Sequence, residues 1–266
     1  MRLEDGRRVF IKAVSEMANP DTPSMHRREA RIVAALPALA PVPRLMWTYD
    51  EGGWVALCFE DVGGRHPYEP WTEPDLGLVV DALRGMAAVL TPSPFEADET
   101  AADAFADHIN GWALALAGGE TRLDDWSAQN LRKLAELEAE APALAAGGSL
   151  VHFDIRADNL LLAGNRVYVI DWPWARLGPA WVDWVAMAPS VAMQGGPDPE
   201  TFLARFEVRE VPKRAIDAVI CTLAGYFVVR ALDPPPPGLP TVRAFQAAQG
   251  RVATAWLRER TRFSSR

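Results

Sequence analysis

The sequence predicts an α+β fold in two lobes, a small antiparallel sheet with one helix followed by a larger, mainly helical part. Three observations predict it. Alternating segments rich in β-branched and aromatic residues crowd together ahead of Asp61. A Gly- and Pro-rich stretch, VGGRHPYEPWTEP, follows at 62–74 and reads as a linker. Beyond it, long helical patterns are interrupted by one short hairpin. The expected division is therefore 1–62 for the sheet lobe and 63–266 for the helical lobe.

The elements follow in order. RVFIKAV (8–14) alternates and reads as a strand. EDG (4–6) is a turn signal, so Arg2 and Leu3 read as the tail of a partner strand. Thr22-Pro23 supplies an N-cap and a first-turn proline for a helix running to Leu36. RLMWTYD and WVALCFE flank EGG (51–53) as a hairpin. Helices are expected at 74–90, 101–117 and 123–145, ended by GGS (147–149). A strand–loop–hairpin unit occupies 149–171. The remainder reads as helical, broken by GGPDP (195–199) and PPPPG (234–238), with Asp198-Pro199 opening a further helix.

Composition narrows the function. The 266 residues suffice for a sizeable core, and 49% hydrophobic with 23% charged content is ordinary for a globular protein. A net charge of -8 disfavours nucleic acid as a partner. It fits a cationic ligand or simply an acidic protein. Cys58 and Cys221 lie far apart in apolar runs and read as reduced core residues of a cytoplasmic protein. The start, MRLEDGRRVF, lacks the apolar region of a signal peptide. The longest apolar run, 218–229, is too short for a bilayer and reads as a buried helix, so no membrane partner is expected.

The chemistry concentrates in LVHFDIRADNLLL (150–162) and VIDW (169–172). NLLL and VYVI read as two strands joined by AGNR, so Asn159 and Asp171 come together at one end of the hairpin. Asp154 lies in the loop just before Asn159. A carboxylate and an amide oxygen are hard ligands of the sort Mg²⁺ accepts, and a second carboxylate beside them can take a proton from a hydroxyl. Phosphoryl transfer needs that combination.

HFDIRADN matches the kinase pattern His-x-Asp-x-x-x-x-Asn, and VIDW supplies the later metal-binding Asp. With Trp172 after Asp171 and no room for an activation segment, the chain resembles the aminoglycoside phosphotransferase family, protein-kinase-like kinases of small molecules. The resemblance runs from about Arg8 to the C-terminal helices. It implies ATP (or GTP) and Mg²⁺ as cofactors and a small-molecule acceptor. It makes Asp154 the catalytic base, Asn159 and Asp171 the metal ligands, and His152 a structural residue. Asp183 would brace the loop; alternatively, it is a charge at a helix start.

Ahead of the linker, Lys12 lies in the first strand, at the end of RVFIK. Glu29 falls within the apolar stripe of Met25, Ile32, Val33 and Leu36, where a carboxylate is costly unless paired. Lys12 is its expected partner, and in the family the pair serves the α/β-phosphates. ALCFEDVGG resembles the segment joining the lobes, with the Glu60 carbonyl and the Val62 N–H on adenine and Phe59 behind it. A glycine-rich phosphate loop is missing, since only eleven residues precede Lys12. Three explanations stand: a start placed too late, weak nucleotide binding, or a non-catalytic, kinase-like protein that binds a nucleotide or a partner.

Other residues have plainer readings. Asp158 reads as a solvated loop carboxylate. Arg156 touches substrate or phosphate, or forms a local salt bridge. Trp172, Trp174, Trp181 and Trp184 read first as core packing and second as a stacking surface. The acidic run at 96–107 reads as a solvated helix face.

Overall fold

A computed structural model describes residues 1–263 apart from 5, 21, 121, 237 and 262. Two expected features touch those gaps: the turn at 4–6 includes residue 5, and the break at 234–238 includes residue 237. On either side of the first, the chain pairs as expected. Arg2 bridges Arg8 in antiparallel fashion, and the Val9 N–H donates to the Met1 carbonyl at 2.9 Å.

The small sheet has three antiparallel strands, β1 (Val9–Ser15), β2 (Leu45–Glu51) and β3 (Trp54–Glu60), in the order β1-β3-β2. Alternation decides its faces. Val55, Leu57 and Phe59 point inward and are buried, and their partners across the ladder, Val14, Lys12 and Phe10, share that face. Helix α1 (Thr22–Ala35) packs there, burying Ile32, Val33 and Glu29. The helix already includes Thr22, so this residue sits inside the first turn with Pro23 rather than outside it as a cap. On the outer face Trp47, Tyr49 and Trp54 are exposed.

The stretch at 62–74 is not a loose linker. Arg65 exchanges two backbone hydrogen bonds with Leu162 (3.0 and 2.7 Å), and its guanidinium forks onto Asp75 (2.7 and 2.8 Å). Gly64 lies so close to the second hairpin that a Cβ there would meet Leu161 at 3.0 Å and the Leu162 carbonyl at 3.2 Å. A side chain there would press on the hairpin, which glycine avoids.

The larger part is helical: α2 (Glu73–Val89), α3 (Ala101–Asp107), α4 (Gly111–Gly118), α5 (Asp125–Glu138), α6 (Ala141–Leu144), α7 (Trp181–Met193), α8 (Pro199–Leu203), α9 (Lys213–Arg230) and α10 (Val242–Thr261). Two expected helices are each split. The segment at 101–117 breaks at 108–110, where Asn110 and Gly111 reset the chain so that Gly111 can press against the Gly225 backbone. The segment at 123–145 breaks ahead of Pro142, whose ring cannot continue the preceding helix. The helix starting at Asp198-Pro199 is present, with Asp198 accepting from the Thr201 N–H.

Four short strands lie inside this part. β4 (Ser149–Val151) pairs with β7 (Arg176–Gly178), and β5 (Leu160–Ala163) forms the expected hairpin with β6 (Arg166–Val169). β7 corrects the expectation that everything after 171 is helical. Its three residues are too few to show alternation, and its pairing with β4 is long-range. Cys58 and Cys221 are free and buried. Among the described residues no helix is long and apolar enough to cross a membrane.

Candidate active site

The hairpin of β5 and β6 brings its two ends together. The Ile170 N–H donates to the Asn159 carbonyl at 3.0 Å, so Asn159 and Asp171 flank one point, as the spacing predicts. Ahead of β5, a single helical turn (157–159) folds Asn159 back onto Asp154. The Asn159 amide nitrogen donates to the Asp154 carbonyl at 2.8 Å and to its carboxylate at 3.2 Å.

The loop from 152 to 159 is held from three directions. Asp183, near the start of α7, accepts the N–H groups of His152 and Phe153, both at 2.8 Å. This geometry is a brace for the loop. The His152 ring, fully buried, donates from Nε2 to the Ile170 carbonyl at 3.0 Å and accepts the Asp154 N–H at Nδ1. One nitrogen donating and the other accepting defines a neutral ring. Burial agrees, holding its pKa down at about 4. Arg176, which no motif in the sequence singles out, stacks on Phe153 at 4.4 Å and pairs with Glu99 at 3.5 Å. Its only sequence signal was a lone Arg in an apolar stretch.

Two residues of the site adopt left-handed backbone angles although neither is glycine: Phe153 (φ 68°) and Asp171 (φ 69°). Such angles cost about 1–3 kcal/mol for a non-glycine residue and persist only where surrounding contacts fix them. Here the fixing contacts are Asp183 on one side and Lys12 on the other.

Lys12 sits between two carboxylates, 2.7 Å from Glu29 and 2.6 Å from Asp171. Burial opposes the charge of Lys12, but the two carboxylates outweigh it and raise its pKa. Burial raises that of Glu29 against the pull of Lys12. Glu29 also accepts the Trp172 N–H at 3.4 Å. The small sheet, its helix and the hairpin thus meet at one ion-paired point.

Beside that point lies a cleft of about 470 Å³, lined among others by Lys12, Phe59, Val62, Asn159 and Asp171. The volume suits a small ligand. Glu60 also lines it. The Arg44 N–H donates to the Glu60 carboxylate, so the neighbouring strand does not claim the Glu60 carbonyl. Among the described residues the Val62 N–H has no partner. Asp154 stands next to this cleft, joined to it through Asn159.

Asp154 keeps 29% of its side chain exposed, yet the surrounding protein pushes its pKa up to about 6. Burial is the main cause, opposed by Arg156, whose Nη1 lies 3.7 Å away. Arg156 also forks onto Asp158 (2.9 and 3.0 Å) and lies over the Phe245 ring. Asp158 is solvated, as expected, but it is also paired and lines the cleft.

The donor set suits a hard cation. The Asn159 amide nitrogen is already used, which leaves its oxygen, and Asp171 offers a partly exposed carboxylate next to it. No three His, Cys, Asp or Glu side chains converge among the described residues. A cation here would have two protein ligands, with water and phosphate oxygens completing its shell, a pattern that Mg²⁺ favours.

The tryptophans divide. Trp172 is fully buried and donates to the Val169 carbonyl, Trp184 stacks on Phe206, and Trp174 is exposed. Most acidic residues of the run at 96–107 are exposed, as expected, though Asp98 also pairs with Arg31 and Glu99 with Arg28 of α1.

A family model described as "Phosphotransferase enzyme family" matches residues 2–219. The chain belongs to this family. Solved structures share the fold of these phosphotransferases at low identity. An aminoglycoside phosphotransferase from Alicyclobacillus acidocaldarius is 17% identical, with a TM-score of 0.60 over 98% of this chain and 88% of the other. A choline/ethanolamine kinase family protein from Mesorhizobium loti is 14% identical, with a TM-score of 0.64 over 97% and 85%. A thermostable mutant of aminoglycoside phosphotransferase APH(4)-Ia, in a ternary complex with AMP-PNP and hygromycin B, is 16% identical, with a TM-score of 0.63 over 97% and 88%. The kinase-like, two-lobe α+β plan is therefore that of known phosphotransferases. No curated protein sequence matches.

Proposed function

We propose that this phosphotransferase moves the γ-phosphoryl group of ATP to a hydroxyl of a small, cationic molecule in the cytoplasm. One observation carries the reading: Lys12, Asp171 and Asn159 line a single cleft, Asp154 stands beside it, and hydrogen bonds link Glu29 to Lys12, Lys12 to Asp171 and Asn159 to Asp154. Residues 1–62 form the nucleotide lobe, and 63–266 hold the catalytic loop and the acceptor.

The roles follow from position. Lys12, fixed by Glu29, neutralises the α/β-phosphates. The Glu60 carbonyl and the Val62 N–H bond the adenine edge against Phe59. Asn159 and Asp171 would hold Mg²⁺, which would supply positive charge to neutralise the phosphates. Asp154 accepts the proton of the acceptor hydroxyl as that oxygen attacks phosphorus and ADP leaves. A pKa of about 6 leaves it mostly ionised near neutral pH and still basic enough to take the proton. Arg156 lies close enough to Asp154 to keep it oriented. Phosphoryl transfer depends mainly on positioning and charge stabilisation, which such a braced loop supplies.

The acceptor class rests on the acidic balance of the chain and on the ligands of its structural relatives, one of which is bound to hygromycin B. The test is transfer of the γ-phosphoryl group of Mg·ATP to a panel of amino-sugars, amino-alcohols and amino acids. Turnover with one group of hydroxyl-bearing amines supports the proposal. Binding of Mg·ATP with no turnover on any of them would replace it with a nucleotide-binding, non-catalytic role.

A further inference from the structure

We propose that a second site, a groove between α9, α10 and the start of α5, binds a small organic anion with a carboxylate on an apolar body. The groove holds about 720 Å³, within the range of ligand sites. Trp126, Val228, Leu232 and Ala247 give it apolar walls. It is separate from the catalytic cleft. At about 3.6 residues per turn, Ala247, Arg251, Thr254 and Arg258 share one side of α10, whereas Phe245, which lies beneath Arg156, falls on the opposite side.

Two independent observations point to a ligand. The first is Thr254. Its residue is 9% exposed, and its Oγ1 is the only buried side-chain polar atom without a hydrogen-bond partner among the described residues. Thr222 and Thr261, also helical, donate to the carbonyl four residues back. Thr254 does not, and its residue lines the groove, where a turn of its side chain would bring the unpaired hydroxyl to a ligand.

The second is charge. Arg251 and Arg258 lie one turn before and one turn after Thr254 on the same face. Neither has an acidic partner among the described residues, whereas Arg230, Arg243 and Arg260 on the same two helices are all paired. The groove also carries two acids. Asp124 is occupied in capping α5 through the Trp126 and Ser127 N–H groups and the Ser127 hydroxyl. Glu259 stands at the rim beside Arg258. The unpaired cations and the unpaired hydroxyl together suit a carboxylate, whose oxygens accept from both, and the apolar walls suit its carbon body.

Calorimetric titration of the full chain with 4-phenylbutyrate, its neutral amide and 4-phenylbutylamine tests this. The carboxylate should bind at one site at least about tenfold more tightly than the amide, a preference typical of charge-assisted hydrogen bonding. The exposed double variant R251Q/R258Q should abolish that preference, and the near-isosteric T254V should weaken binding of both compounds. Saturating Mg·ATP should not displace the carboxylate, and D154N should bind it as wild type does. Equal affinity for acid and amide, unchanged binding in the double variant, tighter binding of the amine, or displacement by Mg·ATP would each overturn the site.

Discussion

The proposed catalytic loop and the small sheet are built on different terms. From 152 to 159, the backbone is pinned by several buried or half-buried hydrogen bonds: Asp183 takes two N–H groups, His152 joins two stretches of backbone, and Asn159 returns to Asp154. The sheet has one such anchor, the Lys12–Glu29 pair, and its outer face leaves Trp47, Tyr49 and Trp54 exposed. Damage to the loop should therefore unfold it as well as stop chemistry. Damage to the sheet should mainly change nucleotide binding.

The largest stability effect should come from Asp183→Ala, which strands two buried N–H donors. A loss of about 3 kcal/mol is expected in chemical denaturation, with Asp183→Asn milder because it keeps one acceptor. A loss below about 0.5 kcal/mol, the level of ordinary surface changes, would mean that the brace carries no load. Next, Lys12→Met leaves Glu29 buried without its cation. Stability should fall by about 2 kcal/mol, and Lys12→Met/Glu29→Gln should recover part of it. In contrast, Trp47→Ser and Tyr49→Ser on the outer face should each change stability by no more than about 0.5 kcal/mol. A larger loss there would show the sheet to be more tightly bound into the fold than its exposure suggests.

The pH dependence sharpens the same contrast. The Asp154 pKa is raised to about 6, so the proposed base would be lost as pH falls through that value. With good substrate, log kcat/KM should drop with unit slope below about pH 6. The sign for stability is opposite. A carboxyl whose folded pKa is raised favours folding below its unfolded value, near 4, and that contribution is lost as pH rises through 6. Asp154→Asn should therefore be no less stable than wild type at pH 8. A clear destabilisation there would show that the ionised carboxylate is a structural contact.

The part of this plan that was legible in the sequence is the part governed by local rules. Alternation marked β1, β2 and β3, and hairpin geometry placed Asn159 beside Asp171. The stripe position of Glu29 pointed to Lys12. Features made by distant pairing were not legible. β7 exists only because β4 offers it a partner, and Arg176 matters only because Phe153 lies beneath it. The acidic run gave no sign that Asp98 and Glu99 reach α1, because a carboxylate's partner across the fold leaves no trace in its own neighbourhood. The helix breaks at 108–110 and before Pro142 answer to packing against α9 and to ring sterics respectively.

The most direct test of the account separates base from metal ligand. Phosphoryl transfer and Mg·ATP binding would be measured side by side in Asp154→Asn and Asp171→Ala. Asp154→Asn should lose transfer by about 10²–10⁴-fold, the usual contribution of a general base, while binding Mg·ATP as wild type does. Asp171→Ala should lose both. Transfer at the wild-type rate in Asp154→Asn, or undiminished Mg·ATP binding in Asp171→Ala, would contradict it.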